Sequence, residues 1–213
     1  MGDSLLFQWV GIRFLLQGMG TTVGITLTVL LVSLTVGFIM ALLYLYGPGI
    51  LRLSVKAYIE VFRNTPPLLW IMVLRFLVPL PLMASGILSM SLVTICGIEE
   101  DFRSGINMIP RGQWEAAASQ GMGRFLTLRY VILPQVIKRL LPILLTEAVT
   151  VVKQSSFLWV IGIQELTGKG MILVGRMSET AEICLLYGML ALLYYVLNEL
   201  ILQIAGRLRQ RQS

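Results

Sequence analysis

Long uncharged runs alternate with short charged segments along this chain of 213 residues. Arg13 and Arg52 enclose 38 uncharged residues, and residues 21–46 of this run are apolar enough to cross a bilayer, for which about 20 residues suffice. Two further apolar runs with few charges follow at residues 140–163 and 183–204. The pattern therefore predicts an all-α integral membrane protein.

The uncharged run at residues 76–98 has two interpretations, because Pro79, Pro81 and the pair Ser85-Gly86 interrupt it. One kinked crossing gives four spans with the N-terminus inside. A hairpin of two crossings gives five spans with the N-terminus outside. In the second case the two helices of the hairpin are short, or they begin within their charged flanks.

The distribution of Lys and Arg favours the second interpretation, because basic residues gather in the cytoplasmic loops of membrane proteins. Five spans place 12 basic residues inside and three outside, whereas four spans place 10 inside and five outside. We therefore expect about five transmembrane helices in one domain over residues 1–213, with the N-terminus outside and the C-terminus inside. The predicted spans are at about 17–46, 62–82, 84–103, 140–163 and 183–205, and a long cytoplasmic loop is at about 104–139.

Composition narrows the chemistry that the chain can perform. Apolar residues make up 56% and charged residues 13%, with a mean hydropathy of +0.82, whereas a soluble domain carries about 25% charged residues. The net charge of +6 is explained by the basic residues that gather on the cytoplasmic side. No soluble face interleaves aromatic with basic residues, so we expect no nucleic acid partner. The chain has no histidine, which is a frequent general base and metal ligand. We therefore expect no catalytic residue and no metal site.

The cytoplasmic loop contains a short predicted helix at residues 113–120. Strong helix formers fill it, Pro110 precedes it and Gly121 follows it. Three consecutive alanines leave one side with almost no bulk, which suits close docking into a groove of another protein. We expect Glu115 to lie in the first turns, where the helix dipole favours a carboxylate, and Pro134 to mark a kink or restart. From the residues alone, an interfacial amphipathic helix is the alternative.

The same loop carries seven residues at the spacing of a known motif. They are Glu115, Ala116, Ala117, Gly121, Val131, Leu133 and Pro134. The set resembles the EAA motif, E-A-A-x3-G-x9-I-x-L-P, of permease subunits in binding-protein-dependent ABC importers, and it departs from the motif only by Val in place of Ile. The resemblance implies that coupling to an ATPase rests on Gly112, Glu115, Ala116, Ala117, Gly121, Leu133 and Pro134.

Four segments narrow the resemblance to permeases of the polar amino acid group, which serve histidine, glutamate, glutamine, arginine or opines. They are residues 58–66 (YIEVFRNTP), 100–106 (EDFRSGI), 109–115 (IPRGQWE) and 153–157 (KQSSF). Asn64 stands where the group has glycine, and asparagine also tolerates a left-handed backbone. The connection between the second and third helices is shorter than in the group. This departure affects the external loop that meets a binding protein and the polar contribution of the third helix.

The resemblance implies a subunit that moves its substrate by alternating access. Its partners are then a second permease subunit, identical or related, a dimer of ATP-binding subunits, an external substrate-binding protein, a polar amino acid and the lipid bilayer. Its location is the bacterial inner membrane, as a multi-pass protein. ATP and Mg are bound by the partner ATPase, so we expect no cofactor on this chain. Residues 167–170 (TGKG) lack the leading glycine of a Walker A motif, and we predict a turn in an external loop there.

Polar residues at membrane depth are candidates for the substrate path, since a charge at mid-bilayer costs at least about 2.5–3.5 kcal/mol. The candidates are Lys153, Gln154, Ser155, Ser156 and Glu147, with Glu100 and Arg75 as second choices. A zwitterionic amino acid needs a cation and hydrogen-bond acceptors, and this set offers both. Structural roles are the alternatives: an ion pair of Lys153 with an acid such as Glu100, helix packing for the serines and a helix end for Arg75.

Other functions compete with that of the importer subunit. A stand-alone secondary carrier or channel explains intramembrane charges, but it gives no reason for the spaced motif. A further alternative within the same family is a permease that folds but whose transport is impaired by the short connection between its second and third helices.

Aromatic residues occur near the ends of several predicted spans. They are Trp9, Trp70, Trp159, Tyr194 and Tyr195. Because amphipathic rings favour the membrane–water interface, we predict that these residues are interfacial anchors.

Overall fold

The computed structural model describes residues 9–210, apart from the side chains of residues 9 and 10, so the anchoring predicted for Trp9 lies outside the described side chains. Every regular element in that range is helical. The elements are α1 (Trp9–Tyr46), α2 (Gly49–Arg63), α3 (Pro67–Leu77), α4 (Leu82–Asn107), α5 (Arg111–Ser119), α6 (Arg124–Thr127), a π-helical turn (Leu128–Ile132), α7 (Leu133–Ser155), a 3-10 segment (Ser156–Ile161), α8 (Leu166–Val174) and α9 (Thr180–Gln210). The all-helical prediction is confirmed, and α1, α4 and α9 are long and apolar enough to span a bilayer.

The long helices form a bundle with two distinct ends. α5 follows α4 and precedes α7 in the chain, so α4 runs toward the end that carries α5 and α7 runs away from it. α1 also runs toward this end, because Ala41 near its C-terminus packs with Ile109, which lies just before α5. We call this end the α5 end and the opposite one the far end.

Three clusters of buried apolar side chains join the helices. The cluster at the α5 end consists of Ala41, Ile98, Phe102, Ile106, Ile109, Ile132, Val136 and Leu140. The middle cluster consists of Ile25, Val29, Ile71, Met90, Val151, Leu158, Ile161 and Ile163. The far-end cluster consists of Leu15, Leu166, Leu173, Leu186 and Leu190. In a bilayer such clusters stabilise the bundle by close packing, because lipid tails are as apolar as the side chains.

The second predicted span, at about 62–82, is not one continuous helix. The chain leaves α2 at Asn64, starts α3 with Pro67 and leaves α3 at Val78. Proline fits the first turn of a helix, whereas the residue before a proline avoids the helical region. α3 therefore has only 11 residues, or about 16 Å, against about 30 Å for the hydrocarbon core. The number of crossings and the sidedness of the termini stay predictions.

Helices lie at the other four predicted spans, with different ends. α1 begins at Trp9 instead of residue 17, and α4 extends the span at 84–103 in both directions. α7 begins inside the predicted loop, at Leu133, and is followed by the 3-10 segment within the span at 140–163. α9 extends beyond both ends of the span predicted at 183–205.

α1 and α4 cross at Gly37, where their backbones approach closely. A Cβ atom at this position would lie 2.7 Å from Cγ2 of Ile98 and 3.1 Å from the backbone nitrogen of Glu99. Small residues at helix crossings are typical of membrane bundles, because they let backbones approach. This crossing fixes the position of the second half of α4, which carries several of the charged residues.

Candidate functional site

α5 packs on the bundle with one face and exposes the other. Trp114 packs against the cluster at the α5 end, and Ala117 is buried. The exposed face consists of Arg111, Gly112, Gln113, Glu115, Ala116, Ala118 and Ser119. We call this set the α5 surface. The helix predicted at residues 113–120 is thus confirmed, with slightly earlier bounds.

Gly121 ends α5 through a left-handed backbone conformation, with φ of 78°. The amide of Gly121 donates to the carbonyl of Ala118 at 2.9 Å, and the amide of Met122 donates to that of Ala117 at 3.1 Å. These two bonds define a Schellman motif, in which glycine is favoured because it has no Cβ. The prediction that Gly121 stops the helix is confirmed, and its local role is to aim the chain away from α5.

The predicted interaction of Glu115 with the helix dipole is wrong. α5 begins at Arg111, so Glu115 is its fifth residue, and no acidic residue lies in the first turn. The carboxylate is exposed and forms no hydrogen bond or ion pair with another residue of the range 9–210. Gly112 and Ala116 beside it add no bulk. The α5 surface therefore presents an unpaired carboxylate beside small residues, with the exposed Arg111 about one turn before it.

Leu133 and Pro134 begin α7 directly after the π-helical turn. Leu133 is half-buried and Pro134 is exposed. Because proline has no amide hydrogen, a change of helical register is favourable next to it, and the restart predicted at Pro134 is confirmed. Nε2 of Gln135 donates to the carbonyl of Val131 at 2.8 Å and to Oε1 of Gln113 at 3.4 Å. The start of α7 is therefore linked to α5.

The candidates at the C-terminal end of α7 do not form one polar site. Lys153 is exposed, Gln154 is half-buried and Ser155 is fully buried. The hydroxyls of Ser155 and Ser156 donate to the carbonyls of Val152 at 2.8 Å and Lys153 at 2.7 Å. Because both hydroxyls bind their own helix, this geometry favours the packing role for the serines.

Glu147 lies deeper in the bundle, against α4. A Cβ atom on Gly97 would lie 3.4 Å from Oε1 of Glu147, so the glycine makes room for the carboxylate. Asp101 lies one turn after Gly97 on α4, close enough for its negative charge to repel that of Glu147. Both residues are half-buried. Together they form an acidic face between α4 and α7, which we call the α4–α7 acidic face.

The alternative ion pair between Lys153 and Glu100 is wrong. Oε2 of Glu100 accepts a hydrogen bond from Nη1 of Arg63 at 2.7 Å, and its Oε1 lies 3.9 Å from Nη2 of Arg103. Nε of Arg103 also donates to Oε1 of the fully buried Glu99 at 3.1 Å. The sequence predictions missed Glu99 and Arg103, although their spacing of four residues on a helix indicates a pair.

The segment at residues 58–66 attaches α2 to its neighbours. The hydroxyl of Tyr58 donates to the carbonyl of Leu92 at 2.7 Å, and Nε1 of Trp70 donates to Oγ1 of Thr65 at 2.6 Å. Burial raises the pKa of Tyr58, which keeps this donor protonated. Asn64 has φ of −93° and is not left-handed, so this position does not require glycine.

Arg75 lies in the last turn of α3, as its alternative role at a helix end predicts. It is half-buried. It has no ion pair within the part of the chain that the structure describes. Arg75 forms no ion pair with Glu147 or Asp101 of the α4–α7 acidic face. It therefore lies apart from the other candidates.

A buried carboxylate at the far end has the largest set of partners. Oε1 of Glu165 accepts from the amide of Gly168 at 2.7 Å, and its Oε2 accepts from the amide of Thr167 at 3.0 Å and the hydroxyl of Tyr194 at 2.8 Å. Thr22 of α1 adds a longer bond of 3.4 Å to Oε2 and accepts from the amide of Leu166. We call these residues the Glu165 cluster. It joins α1, α8 and α9.

The Glu165 cluster corrects the sequence prediction for residues 167–170. Residues 167–170 lie in α8 and not in a turn, because Glu165 caps the first amides of this helix. The hydroxyl of Tyr194 binds Glu165 and also shares a hydrogen bond with Thr167 at 2.9 Å, so it is satisfied within the bundle, and the predicted interfacial position of Tyr194 stays a prediction. Lys169, which lies in the segment predicted as part of an external loop, is buried, donates to Oε1 of Gln17 at 3.0 Å and lies 4.4 Å from the centre of the Phe14 ring.

Fold and α5 surface together define the class of protein, an all-helical integral membrane protein that exposes a short helix at one end of its bundle. The chain belongs to the family of binding-protein-dependent transport system inner membrane components, a sequence model of which matches residues 33–213.

Several known proteins that are similar to this chain are named as transport permeases or ABC transporters. GlnP of Rickettsia felis is 30% identical over 96% of this chain and 95% of that protein. The glutamine transport system permease protein GlnP of Escherichia coli K12 is 27% identical over 96% of this chain and 95% of that protein. Among solved structures, an amino acid ABC transporter crystallised with histidines has a TM-score of 0.87 and 27% identity, covering 99% of this chain and 100% of that chain. The MetNI methionine ABC transporter, at 18% identity and a TM-score of 0.73 over 97% of this chain and 99% of that chain, shares the fold.

Proposed function

We propose that this chain is the transmembrane permease subunit of an ABC importer for a polar amino acid, powered by ATP hydrolysis on a separate subunit. The relatives named for glutamine transport and the similar amino acid transporter support the substrate class. The observation that carries the mechanism is the α5 surface, an exposed face with an unpaired Glu115 on a helix that is anchored by Trp114.

In this function α5 enters a groove of an ATP-binding subunit. A dimer of such subunits holds ATP and Mg, while a second permease subunit and an external binding protein complete the importer in the bacterial inner membrane. When the groove moves on ATP binding, it carries α5 with it. Because α5 is linked to the start of α7, this movement favours one of two packings of the helices over the other.

Co-purification tests the proposal. We expect the ATP-binding subunit encoded with this permease to stay bound in detergent and to hydrolyse ATP faster when the external binding protein and its amino acid are added. A stand-alone carrier would instead transport its substrate in liposomes without any ATPase. Purification of an active chain alone would therefore contradict the proposal.

The end of α5 gives a second, sharper test. Gly121→Ala places a Cβ in a left-handed conformation, which costs roughly 1–2 kcal/mol, and should redirect the chain after α5. We expect weaker binding of the ATP-binding subunit and at least a tenfold loss of transport. Gly123→Ala is the matched control, because φ is −66° and no atom lies within 4 Å of its Cβ. Equal losses in both variants would contradict a specific role for the α5 end.

For the substrate path we propose that the α4–α7 acidic face receives the ammonium group and that Lys153 receives the carboxylate. Glu147 and Asp101 supply the negative charge, and Lys153 is exposed and has no ion pair among residues 9–210. Gln154 lines the route without binding the charged groups, whereas the two serines pack within the bundle through hydrogen bonds to their own helix. A zwitterion then meets charges of both signs as it crosses.

Substrate-stimulated ATPase activity tests this path. We expect Lys153→Ala and Glu147→Gln each to raise the amino acid concentration that gives half-maximal stimulation, while basal ATPase activity stays normal. Lys56→Ala is the control, since Lys56 is exposed on α2 and pairs with Glu60. A response of the Lys153 variant equal to that of the wild type would remove Lys153 from the path, and an unaffected Glu147 variant would do the same for the acidic face.

A further inference from the structure

A groove of about 610 Å³ opens between α7 and α9. α7 contributes four of its lining residues, Arg139, Pro142, Ile143 and Thr146. α9 contributes the other four, Leu202, Ala205, Gly206 and Arg209. The small residues of α9 and the proline of α7 leave this space unfilled. None of these residues belongs to the α5 surface, the α4–α7 acidic face or the Glu165 cluster.

Both charges of the groove lie at the same end. Arg139 is near the start of α7 and Arg209 is near the end of α9, and residues from these two regions line one space, so the helices are antiparallel here. Both side chains are exposed, and neither forms a hydrogen bond or ion pair with a residue between 9 and 210. Two free guanidinium groups therefore stand at the α5 end of the groove.

The remainder of the groove is almost entirely apolar. Thr146 is the exception, and its hydroxyl donates to the carbonyl of Pro142 at 3.2 Å, so it offers no free donor. Ile143 and Leu202 are exposed, at 47% and 41%, on the part of the helices away from the arginines. The apolar run of α9 ends just before its two C-terminal arginines. This places Arg209 at the level of lipid headgroups and the apolar part at the level of acyl chains.

We propose that the groove binds one anionic phospholipid, with the phosphate between Arg139 and Arg209 and an acyl chain along Pro142, Ile143 and Leu202. Basic pockets between transmembrane helices favour such headgroups, and guanidinium groups bind phosphate oxygens with two donors each. A symmetric contact with a second copy centred on this groove would instead set four arginines against one another. The proposal rests on the proposed function only for placing the groove in the cytoplasmic leaflet.

Native mass spectrometry of the intact importer tests the site. The complex is reconstituted with phosphatidylglycerol or with phosphatidylcholine of the same chains in both leaflets, so the result does not depend on orientation. We expect phosphatidylglycerol to be retained and phosphatidylcholine to be lost. Each basic residue near a membrane surface contributes about 1 kcal/mol, so Arg139→Gln with Arg209→Gln should weaken retention about 30-fold.

Two further variants keep the test specific. Arg207→Gln removes a charge from the same helix end, but Arg207 lies about 200° around the helix from Arg209 and does not line the groove; it should retain the lipid. Gly206→Leu keeps both arginines and fills the groove, because no atom lies within 4 Å of a Cβ there, and leucine favours the helix. It should lose the lipid as the double variant does.

Three results would overturn the lipid site. They are unchanged retention in the double variant, equal loss in Arg207→Gln, and displacement by inorganic phosphate alone, which would indicate a simple anion site. Retention of phosphatidylcholine equal to that of phosphatidylglycerol would also contradict it. Binding of the ATP-binding subunit, measured in the same spectra, tests the proposed function separately, because no variant alters α5.

Discussion

Two carboxylates at opposite ends of the bundle show how different the surroundings of one side-chain type can be. Glu165 is fully buried at the far end and accepts hydrogen bonds from two backbone amides and two hydroxyls. Glu115 at the α5 end is exposed and has no such partner in the described part of the chain. The first is satisfied by three helices of its own chain, whereas the second is available to another protein.

The contrast separates stability from function in this bundle. A buried acceptor set that is fully paired holds its helices in one arrangement, because breaking it leaves several groups unpaired. An exposed carboxylate without a partner among residues 9–210 contributes little to the fold, which is consistent with the proposed contact of Glu115 with an ATP-binding subunit. Mutations at the two sites should therefore act on different measurements.

Glu165→Ala should have the largest effect on stability. It removes the acceptor of the Thr22 hydroxyl, leaves the Tyr194 hydroxyl bonded to Thr167 but not to residue 165, and removes the cap of the first amides of α8. Unpaired buried groups cost about 1–3 kcal/mol each, so we expect a total loss of about 3–5 kcal/mol. Thermal unfolding of the detergent-solubilised protein measures it, with a decrease of the melting temperature of at least about 6 °C. A melting temperature like that of the wild type would show that the Glu165 cluster does not hold α1, α8 and α9 together.

Tyr194→Phe should have a smaller effect, because it removes one donor to Glu165 and leaves the two amides in place. We expect a loss of about 1 kcal/mol, measured by the same thermal unfolding. Tyr195→Phe is the matched control, since Tyr195 is the next residue on α9 and is 64% exposed. If both variants lowered the melting temperature equally, the hydrogen bond to Glu165 would not be the cause.

The same contrast explains which parts of the molecule the sequence predicts. Local signals found α5, because Pro110, the alanines and Gly121 define both ends of a helix within a dozen residues. The spaced motif then singled out Glu115 and Ala116, which lie on the exposed α5 surface, although Ala117 of the same motif is buried. Long apolar runs likewise predicted α1, α4 and α9, since span length is a local property.

The Glu165 cluster has no comparable local signal. Its members on α1 and α9 are 143 and 29 residues away from Glu165, and glutamate is not a favoured helix cap. The burial of Lys169 in α8 was not predicted for the same reason, because its partners Gln17 and Phe14 lie on α1. Pro66 and Pro67 indicate the break between α2 and α3. The span predicted at 62–82 nevertheless ran across it, because a hydropathy pattern averages over such short interruptions.

Glu115→Ala should have the smallest effect on stability and a large effect on function. Because the carboxylate has no hydrogen-bond or ion-pair partner among residues 9–210, the melting temperature of the permease should stay at the wild-type value, and binding of the ATP-binding subunit should weaken. Glu179→Ala is the control, as Glu179 is also exposed but lies at the far end, between α8 and α9; it should change neither measurement. A variant of Glu115 that lowered the melting temperature as Glu165→Ala does would mean that Glu115 supports the fold. A variant that left both transport and assembly intact would mean that force reaches the bundle through another part of the α5 surface.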